Sequence, residues 1–263
     1  MWRQCFSTER AVEDDFLLIK GRSDEQTFIL PPFGENLEGL EKILDKAIDY
    51  FHQNNLPFIM KGVPPKVVEL LEIIKPGYFQ YQGDRDSYDY VYNAQDLIEL
   101  KGRKYHRKRN HIHNFKKNYQ HYQYLPLTEE LIPACIETTI EWCEKKECDD
   151  NPTLHCEKCA VLEGLNNFNY LELQGGVILI DNKVEAFTFG EKLNQDTAVI
   201  HVEKGNTEIN GIYAVINQEF CLQQWQEMKY INREEDLGIL GLRKAKESYY
   251  PVKMGEKYIV TLK

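Results

Sequence analysis

The sequence predicts a mixed α/β fold, on three observations. Segments with period-two alternation and segments with helical spacing interleave along the whole chain. The last third reads in the order β-β-β-α-β-α-β, and the first half shows a looser version of the same mixed pattern, as a duplication would leave. The length, 263 residues, suits one large α/β domain or two domains of about 130 residues each.

From the amino terminus, DDFLLIKGRSDEQTFILPPFG reads as two strands around a turn at Gly21–Asp24, closed by Pro31 and Pro32. Leu37, Leu40, Ile43, Leu44, Ala47, Ile48 and Phe51 recur at helical spacing. PFIMKG is a short buried strand, and PPKVVELLEII a helix opened by prolines and ended near Pro76-Gly77. SYDYVYN alternates as a strand, with Tyr88, Tyr90 and Tyr92 on one face. HYQYLPL is a strand. TEELIPACIETTIEWCEKKE is a helix with Thr128 as N-cap, and a polar loop leads from it to another helix. GGVILID, KVEAFTFGEKL and TAVIHVEKG are three strands, the first two joined by a tight turn at Asp181-Asn182. NTEINGIYAVINQEFCLQQW is a helix capped by Asn206 or Thr207. KYINREED is a strand, LGLRKAKESY a short helix and EKYIVTLK a final strand.

Composition narrows the function. The 42 Asp and Glu outnumber the 32 Lys and Arg, for a net charge of −10, which argues against broad, non-specific nucleic-acid binding. No apolar run approaches the roughly 20 residues that span a bilayer. The start, MWRQCFSTER, lacks the apolar core of a signal peptide, so a cytoplasmic location is expected. Seven cysteines follow no secreted framework, and free thiols in a reducing compartment are the plain reading. Cys143, Cys148, Cys156 and Cys159 approach zinc-ligand spacing, but they match no zinc module, and no metal is expected.

Against that acidic background, KGRKYHRKRNHIHNFKK at 101–117 holds eight Lys or Arg, three His and no acid. Tyr105, Ile112, Phe115 and Tyr119 fall within one narrow arc of a helix. The far side presents Arg103, His106, Arg107, Asn110, His113, Asn114 and Lys117. One stripe can therefore dock on a core while the other offers cations and amides to phosphates. Lys108 is the misfit, because it falls on the apolar stripe.

Other candidates lie in the last third. In TAVIHVEKG, His201 and Glu203 share a face, suited to binding or deprotonating an amine. Gly205, Asn206 and Thr207 open a helix, where backbone N–H groups can hold phosphate. Along KYINREED, Tyr230, Asn232, Glu234 and Asp236 share a face that suits a cationic group. Arg243 and Lys246 follow on one helical side, suited to a carboxylate or phosphate. Tyr249 is placed as proton donor to a leaving group.

The blocks KGRKYHRKRNHIHNF, HVEKG with NGIYAVINQEF, and YINREEDLGILGLRKAKESYYP resemble the bacterial DUF2156 family. That family is grouped with the carboxy-terminal, cytoplasmic part of phosphatidylglycerol lysyltransferases. The resemblance covers residues 15 to 262 and is most specific in the last block. It implies a tandem GNAT-like fold of the acyl-CoA N-acyltransferase type, with two mixed sheets flanked by helices, similar to the Fem-type enzymes that move aminoacyl groups from tRNA. On this reading residues 1–125 form an N-terminal GNAT-like domain and 126–263 a C-terminal one. Asp236-Leu237-Gly238 stands where the lysyltransferases have an Asp-Leu-Gly turn near the bound aminoacyl group. Past it this chain continues Ile-Leu-Gly-Leu-Arg rather than Met-Ala-Pro.

The expectation is then an acyl- or aminoacyl-transferase. Its donor, aminoacyl-tRNA or an acyl-CoA, carries phosphates, and its acceptor is an amine or hydroxyl, lipid included; no cofactor is tightly bound. Glu203, Glu234 and Asp236 would take the amine-bearing group, Arg243 and Lys246 an anionic or carbonyl portion, and the basic helix the donor's phosphates. Arg107 and Asp236 would line opposite walls of one cleft. The alternative is a non-catalytic module on the same fold that docks on tRNA, the ribosome or an anionic lipid head group.

Overall fold

The computed structural model describes residues 1–23, 26–34, 37–145 and 152–263. Asp24, Cys148 and the side chain of Leu37, named above, lie outside the described residues. The elements run β1 (Glu9–Glu13), β2 (Phe16–Ser23), β3 (Gln26–Ile29), α1 (Leu37–Gln53), β4 (Ile59–Val63), α2 (Pro65–Ile74) and β5 (Phe79–Gly83). Then come β6 (Asp89–Asn93), α3 (Ala94–Glu99), α4 (His106–Asn118), β7 (Gln123–Pro126), α5 (Ile132–Lys145), α6 (Pro152–Asn166), β8 (Gln174–Ile180) and β9 (Lys183–Lys192). Last are β10 (Thr197–Gly205), α7 (Ile212–Gln224), β11 (Tyr230–Asn232), α8 (Leu240–Glu247), β12 (Lys253–Gly255) and β13 (Tyr258–Leu262).

The chain divides into two compact units, Trp2–Tyr88 with Gly255–Lys263, and Met1 with Asp89–Met254. The boundary expected at 125/126 falls inside β7, where Leu125 and Pro126 pair with Val177 and Gly176 of β8. The division lies elsewhere because β13, last in the chain, pairs with β4 and β5 near its beginning. Likewise β6, from the first half, pairs with β11.

Unit Trp2–Tyr88 with Gly255–Lys263 holds a mixed sheet in the order β1-β2-β3-β4-β13-β5. α1 buries Leu40, Ile43, Leu44, Ala47 and Phe51, the stripe its spacing predicts. They pack with Phe16, Met60, Phe79 and Val260 of the sheet. β1 and β5 were not anticipated, and β2 runs straight through the turn expected from Gly21.

The second unit holds a mixed sheet in the order β12-β6-β11-β10-β9-β8-β7. α5 and α6 are inserted after β7, and α7 joins the parallel strands β10 and β11. In the other unit α1 likewise joins parallel strands, β3 and β4. The turn expected at Asp181-Asn182 is present, with both residues at positive φ. α4 docks as its stripe predicts: Tyr105, Ile112 and Phe115 are buried in one cluster with Ile212, Ile216 and Phe220 of α7. Among the described residues no helix is long and apolar enough to cross a membrane.

Candidate active site

The parallel strands β10 and β11 pair at three positions, Thr197–Tyr230, Ala198–Ile231 and Val199–Asn232. β10 then runs on to Gly205 paired with β9 alone, and a fork opens. The β9–β10 register shifts between Ile200 and Val202, so His201 is the extra residue of a bulge, a device that re-aims a side chain. Gly190 faces this bulge, where an added Cβ would lie 2.0 Å from the Val199 carbonyl oxygen.

Two side-chain pairs span the fork. His201 places Nδ1 2.7 Å from Glu234 Oε1 and Nε2 3.0 Å from Glu191 Oε1. Burial works to lower the imidazole pKa, but the two carboxylates outweigh it and the pKa is raised. Deeper in, Arg233 Nη2 donates to Glu203 Oε1 at 2.9 Å, and Asn217 of α7 donates to Glu203 Oε2 at 3.0 Å. Arg233 Nη1 is buried without a hydrogen-bond partner.

Above this guanidinium sit Tyr249 and Lys108. The Arg233 Cζ lies 4.9 Å from the Tyr249 ring centre, and Lys108 Nζ lies 3.7 Å from the same centre. Burial, with Arg233 adding to it, lowers the Lys108 amine to about 8. Burial holds the Tyr249 phenol protonated far above its ordinary value, against the pull of Arg233. The misfit on the apolar stripe is thus the residue that α4 sends into the fork.

Other expected residues are placed differently. KYINREED is a strand only as far as Asn232; Glu234 turns away at φ 54°, so Glu234 and Asp236 do not share a strand face. Asn232 ties the bend, accepting from the Glu234 amide at 2.8 Å and donating to Asp89 at 3.1 Å. Asp236 is fully buried and lines no cleft wall opposite Arg107. It accepts from Arg243 Nε at 2.9 Å and Nη2 at 2.8 Å, from the Tyr90 hydroxyl at 2.6 Å and from the Gly238 amide at 2.9 Å. Asp236 and Arg243, assigned to different parts of a ligand, meet each other, because Leu237 and Gly238 at positive φ fold the chain back. The Arg243 hydrogen bonds hold the Asp236 carboxyl well below the usual carboxylate range, against the effect of burial. Lys246 donates to the carbonyls of Arg233, Glu234 and Glu235 at 2.5, 3.1 and 2.5 Å. It fixes the bend, and burial next to Arg233 lowers its amine to about 8.

On the outer face of α4 and the turn before it, Arg103, Arg107, Asn110, Asn114 and Lys117 are exposed as expected. Other cations of the stretch have partners: Lys101 with Glu99, Lys116 with Glu219, and Arg109 with the carbonyls of Leu100 and Gly102. Among the described residues, Arg103, Arg107 and Lys117 have no acidic partner.

Gly205, Asn206 and Thr207 do not open a helix. α7 starts at Ile212, after Gly211 at φ 89°, and Asn206 caps a local turn through the Glu208 amide at 3.0 Å. These three residues line a cavity of about 210 Å³ with Trp142 and Lys204, apart from the fork residues. The cysteines differ from the free-thiol reading at Cys5, Cys143 and Cys156, each of which is disulfide-bonded; Cys135, Cys159 and Cys221 are free. Among the described residues no group of three His, Cys, Asp or Glu is placed to hold a metal ion.

Sequence reasoning did not single out Arg233, Glu191 or Asn217. Residues 1–261 match the family model for the phosphatidylglycerol lysyltransferase C-terminal region. A conserved protein of unknown function from Bacteroides thetaiotaomicron VPI-5482 is similar over 100% of this chain and 88% of its own, at 42% identity and a TM-score of 0.91. The C-terminal domain (DUF2156) of a putative lysylphosphatidylglycerol synthetase from Agrobacterium fabrum shares the fold at 10% identity, over 99% of this chain and 85% of its own, with a TM-score of 0.71. L-PGS from Bacillus licheniformis does so at 13% identity, over 97% and 84%, with a TM-score of 0.67. No curated protein matches.

Proposed function

The chain belongs to the phosphatidylglycerol lysyltransferase C-terminal family, and from that premise we propose that it transfers an acyl or aminoacyl group from a phosphate-bearing donor to an amine or hydroxyl acceptor. The donor is aminoacyl-tRNA or an acyl-CoA. One observation carries the reading: a single helix, α4, presents free cations outside and sends Lys108 to Tyr249 and Arg233 inside.

The donor's phosphates lie along Arg103, Arg107 and Lys117, with Asn110 and Asn114 between them. Its carbonyl oxygen enters the fork and meets the unpartnered Arg233 Nη1 N–H, which polarises it. The acceptor attacks the carbonyl carbon, and Lys108, whose amine is lowered to about 8, takes the acceptor's proton. As the bond to the leaving oxygen or sulfur breaks, the Tyr249 phenol supplies that atom's proton. Lys108, against the Tyr249 ring, then returns one to the phenol. His201 and Glu234, half-buried at the fork's mouth, position the acceptor amine.

Incubating the protein with radiolabelled aminoacyl-tRNA, and separately with labelled acyl-CoA, and following label on filters tests the donor. The double variant Arg103→Glu/Arg107→Glu should lower donor affinity roughly tenfold or more at low salt. Unchanged binding of both donors would remove the phosphate role. Both donors are cytoplasmic, and the reading places the chain there. Trapping thiols at lysis checks this: disulfides at Cys5, Cys143 and Cys156, as the structure holds them, count against a reducing cytoplasm, and free thiols there count for it.

A second reading, a non-catalytic module that docks on tRNA, the ribosome or anionic lipid, is favoured by a specific observation. Glu203 and Asp236, expected at the amine-bearing group, and Lys246, expected at an anionic or carbonyl portion, are all engaged by internal partners. Its signature is salt-sensitive binding without turnover. Lys108→Met separates the two, abolishing transfer in the first while leaving binding in the second.

A further inference from the structure

α6 brings His155, Cys156 and Cys159 together on one side of a helix. Cys156 is disulfide-bonded and Cys159 is free. Cys159 stands three residues after Cys156 and four after His155, the spacings at which helical side chains are neighbours. His155 Nε2 lies 3.6 Å from Cys159 Sγ, so an imidazole is in place to take the thiol's proton. His155 is exposed, and both cysteines are half-buried. The other free cysteines of the described residues, Cys135 and Cys221, are buried. Burial pushes both of those thiols up to about 12, so neither supplies the thiolate that attacks a disulfide.

We propose that His155, Cys156 and Cys159 form a thiol–disulfide exchange site. His155 takes the Cys159 proton, and the thiolate attacks the Cys156 sulfur. A bond forms between Cys159 and Cys156 as the bond from Cys156 to its present partner breaks. That partner leaves as a thiolate and takes the proton back from the imidazolium. One disulfide is lost and one gained, so the step needs neither oxidant nor reductant. The new bond also acts mechanically. Helical Cβ atoms three residues apart lie about 5–6 Å from one another, whereas a disulfide holds them at about 4 Å. Closing it draws in the turn that carries Glu157, whose carboxylate lies 2.5 Å from Lys204 Nζ. Lys204 in turn lies 4.2 Å from the centre of the Trp142 ring, and both line the cavity of about 210 Å³. Exchange therefore reaches the wall of that cavity. The proposal does not rest on the transfer reaction.

Native thiol labelling of the full chain, purified without added reductant, tests it. The protein is treated with N-ethylmaleimide near neutral pH, then digested without reduction and mapped by mass spectrometry. In the wild type, part of the label should lie on the cysteine that Cys156 releases, in molecules that carry a Cys156–Cys159 link. That share should fall as the reagent is raised, because alkylation of Cys159 then outruns exchange. Cys159→Ser should show neither the link nor the displaced label, with its melting temperature unchanged. His155→Gln should lose the share at a reagent concentration roughly tenfold lower. Label confined to Cys159 at every concentration overturns the proposal. So does label on Cys156 itself, since no disulfide then stands there to attack. A His155→Gln share that tracks the wild type at every concentration overturns it as well. Absence of transfer from tRNA or acyl-CoA, with exchange intact, leaves it standing and counts against the transferase reading alone.

Discussion

Lys108 holds its ammonium 3.7 Å from the centre of the Tyr249 ring, and that ring lies 4.9 Å from the Arg233 guanidinium carbon. Two cations therefore share one aromatic neighbour within a buried cluster. Burial and the second charge together favour the neutral amine. Reductive methylation of the folded protein, followed by mass spectrometry over a pH series, should give Lys108 a rate midpoint near 8. Lys117, exposed on the same helix, serves as the internal reference. A midpoint for Lys108 equal to that of Lys117 removes it as proton acceptor.

The same depressed pKa has a consequence for stability. Between about 8 and 10.5 the folded Lys108 is neutral while its unfolded counterpart still holds a proton. The unfolded state binds more protons there, so stability rises with pH across that window. Lys246 contributes in the same direction. Urea unfolding at pH 8 and pH 10 should show a smaller gain in Lys108→Met than in the wild type.

Asp236 is expected to act through structure rather than chemistry. Asp236→Ala leaves the Arg243 guanidinium and the Tyr90 hydroxyl without their shared acceptor, and breaking such a pair costs about 3–5 kcal/mol. The double variant Asp236→Ala/Arg243→Met should recover part of that loss. Because the carboxyl pKa is lowered, its contribution is complete above the ordinary carboxylate value and is lost as pH falls through the folded one. Asp236→Asn should therefore flatten the acid limb of the stability curve, measured by urea titration from pH 6 downward.

Much of the architecture was legible because the signals that define it are local. The period of α4, the alternation of β6 and the Asp181-Asn182 turn depend on neighbours within a few residues, and all three are present. Lys108 was legible as an anomaly, a charge on an apolar stripe, though its purpose needed Tyr249, far along the chain. Arg233 carried no signal at all. Beside three acids it read as part of a charged strand, whereas its partner is Glu203 on another strand. The start of α7 misled because Asn206 does cap, but it caps a turn, and Gly211 supplies the left-handed residue that precedes the helix. The domain boundary was hidden for a further reason: strand pairing is non-local, and nothing in EKYIVTLK says that it completes a sheet begun more than 200 residues earlier.

His201 provides a test of the fork that does not depend on turnover. Its pKa is raised by Glu234 and Glu191 against burial. The resulting stability is fully present below the unfolded value of about 6.5 and is lost as pH rises through the folded value. His201→Gln should abolish that decline, so that the variant and wild type converge in urea stability at high pH and separate near pH 5.5. An NMR titration giving His201 an ordinary midpoint would contradict the two-carboxylate clamp.

Gly211 links the backbone to the chemistry. At φ 89° it occupies a region that disfavours side chains, and an added Cβ would lie 2.5 Å from the His111 carbonyl oxygen of α4. Gly211→Ala must therefore strain the turn, move α4 away from α7, or both. Strain alone costs about 1–3 kcal/mol and leaves Lys108 where it is. Movement of α4 withdraws Lys108 from Tyr249, admits water, and returns its amine toward the ordinary 10.5. The labelling midpoint of Lys108 in the Gly211→Ala protein separates these outcomes. A rise accompanied by slower transfer is expected, because α4 is held against α7 at this glycine and carries Lys108 into the fork.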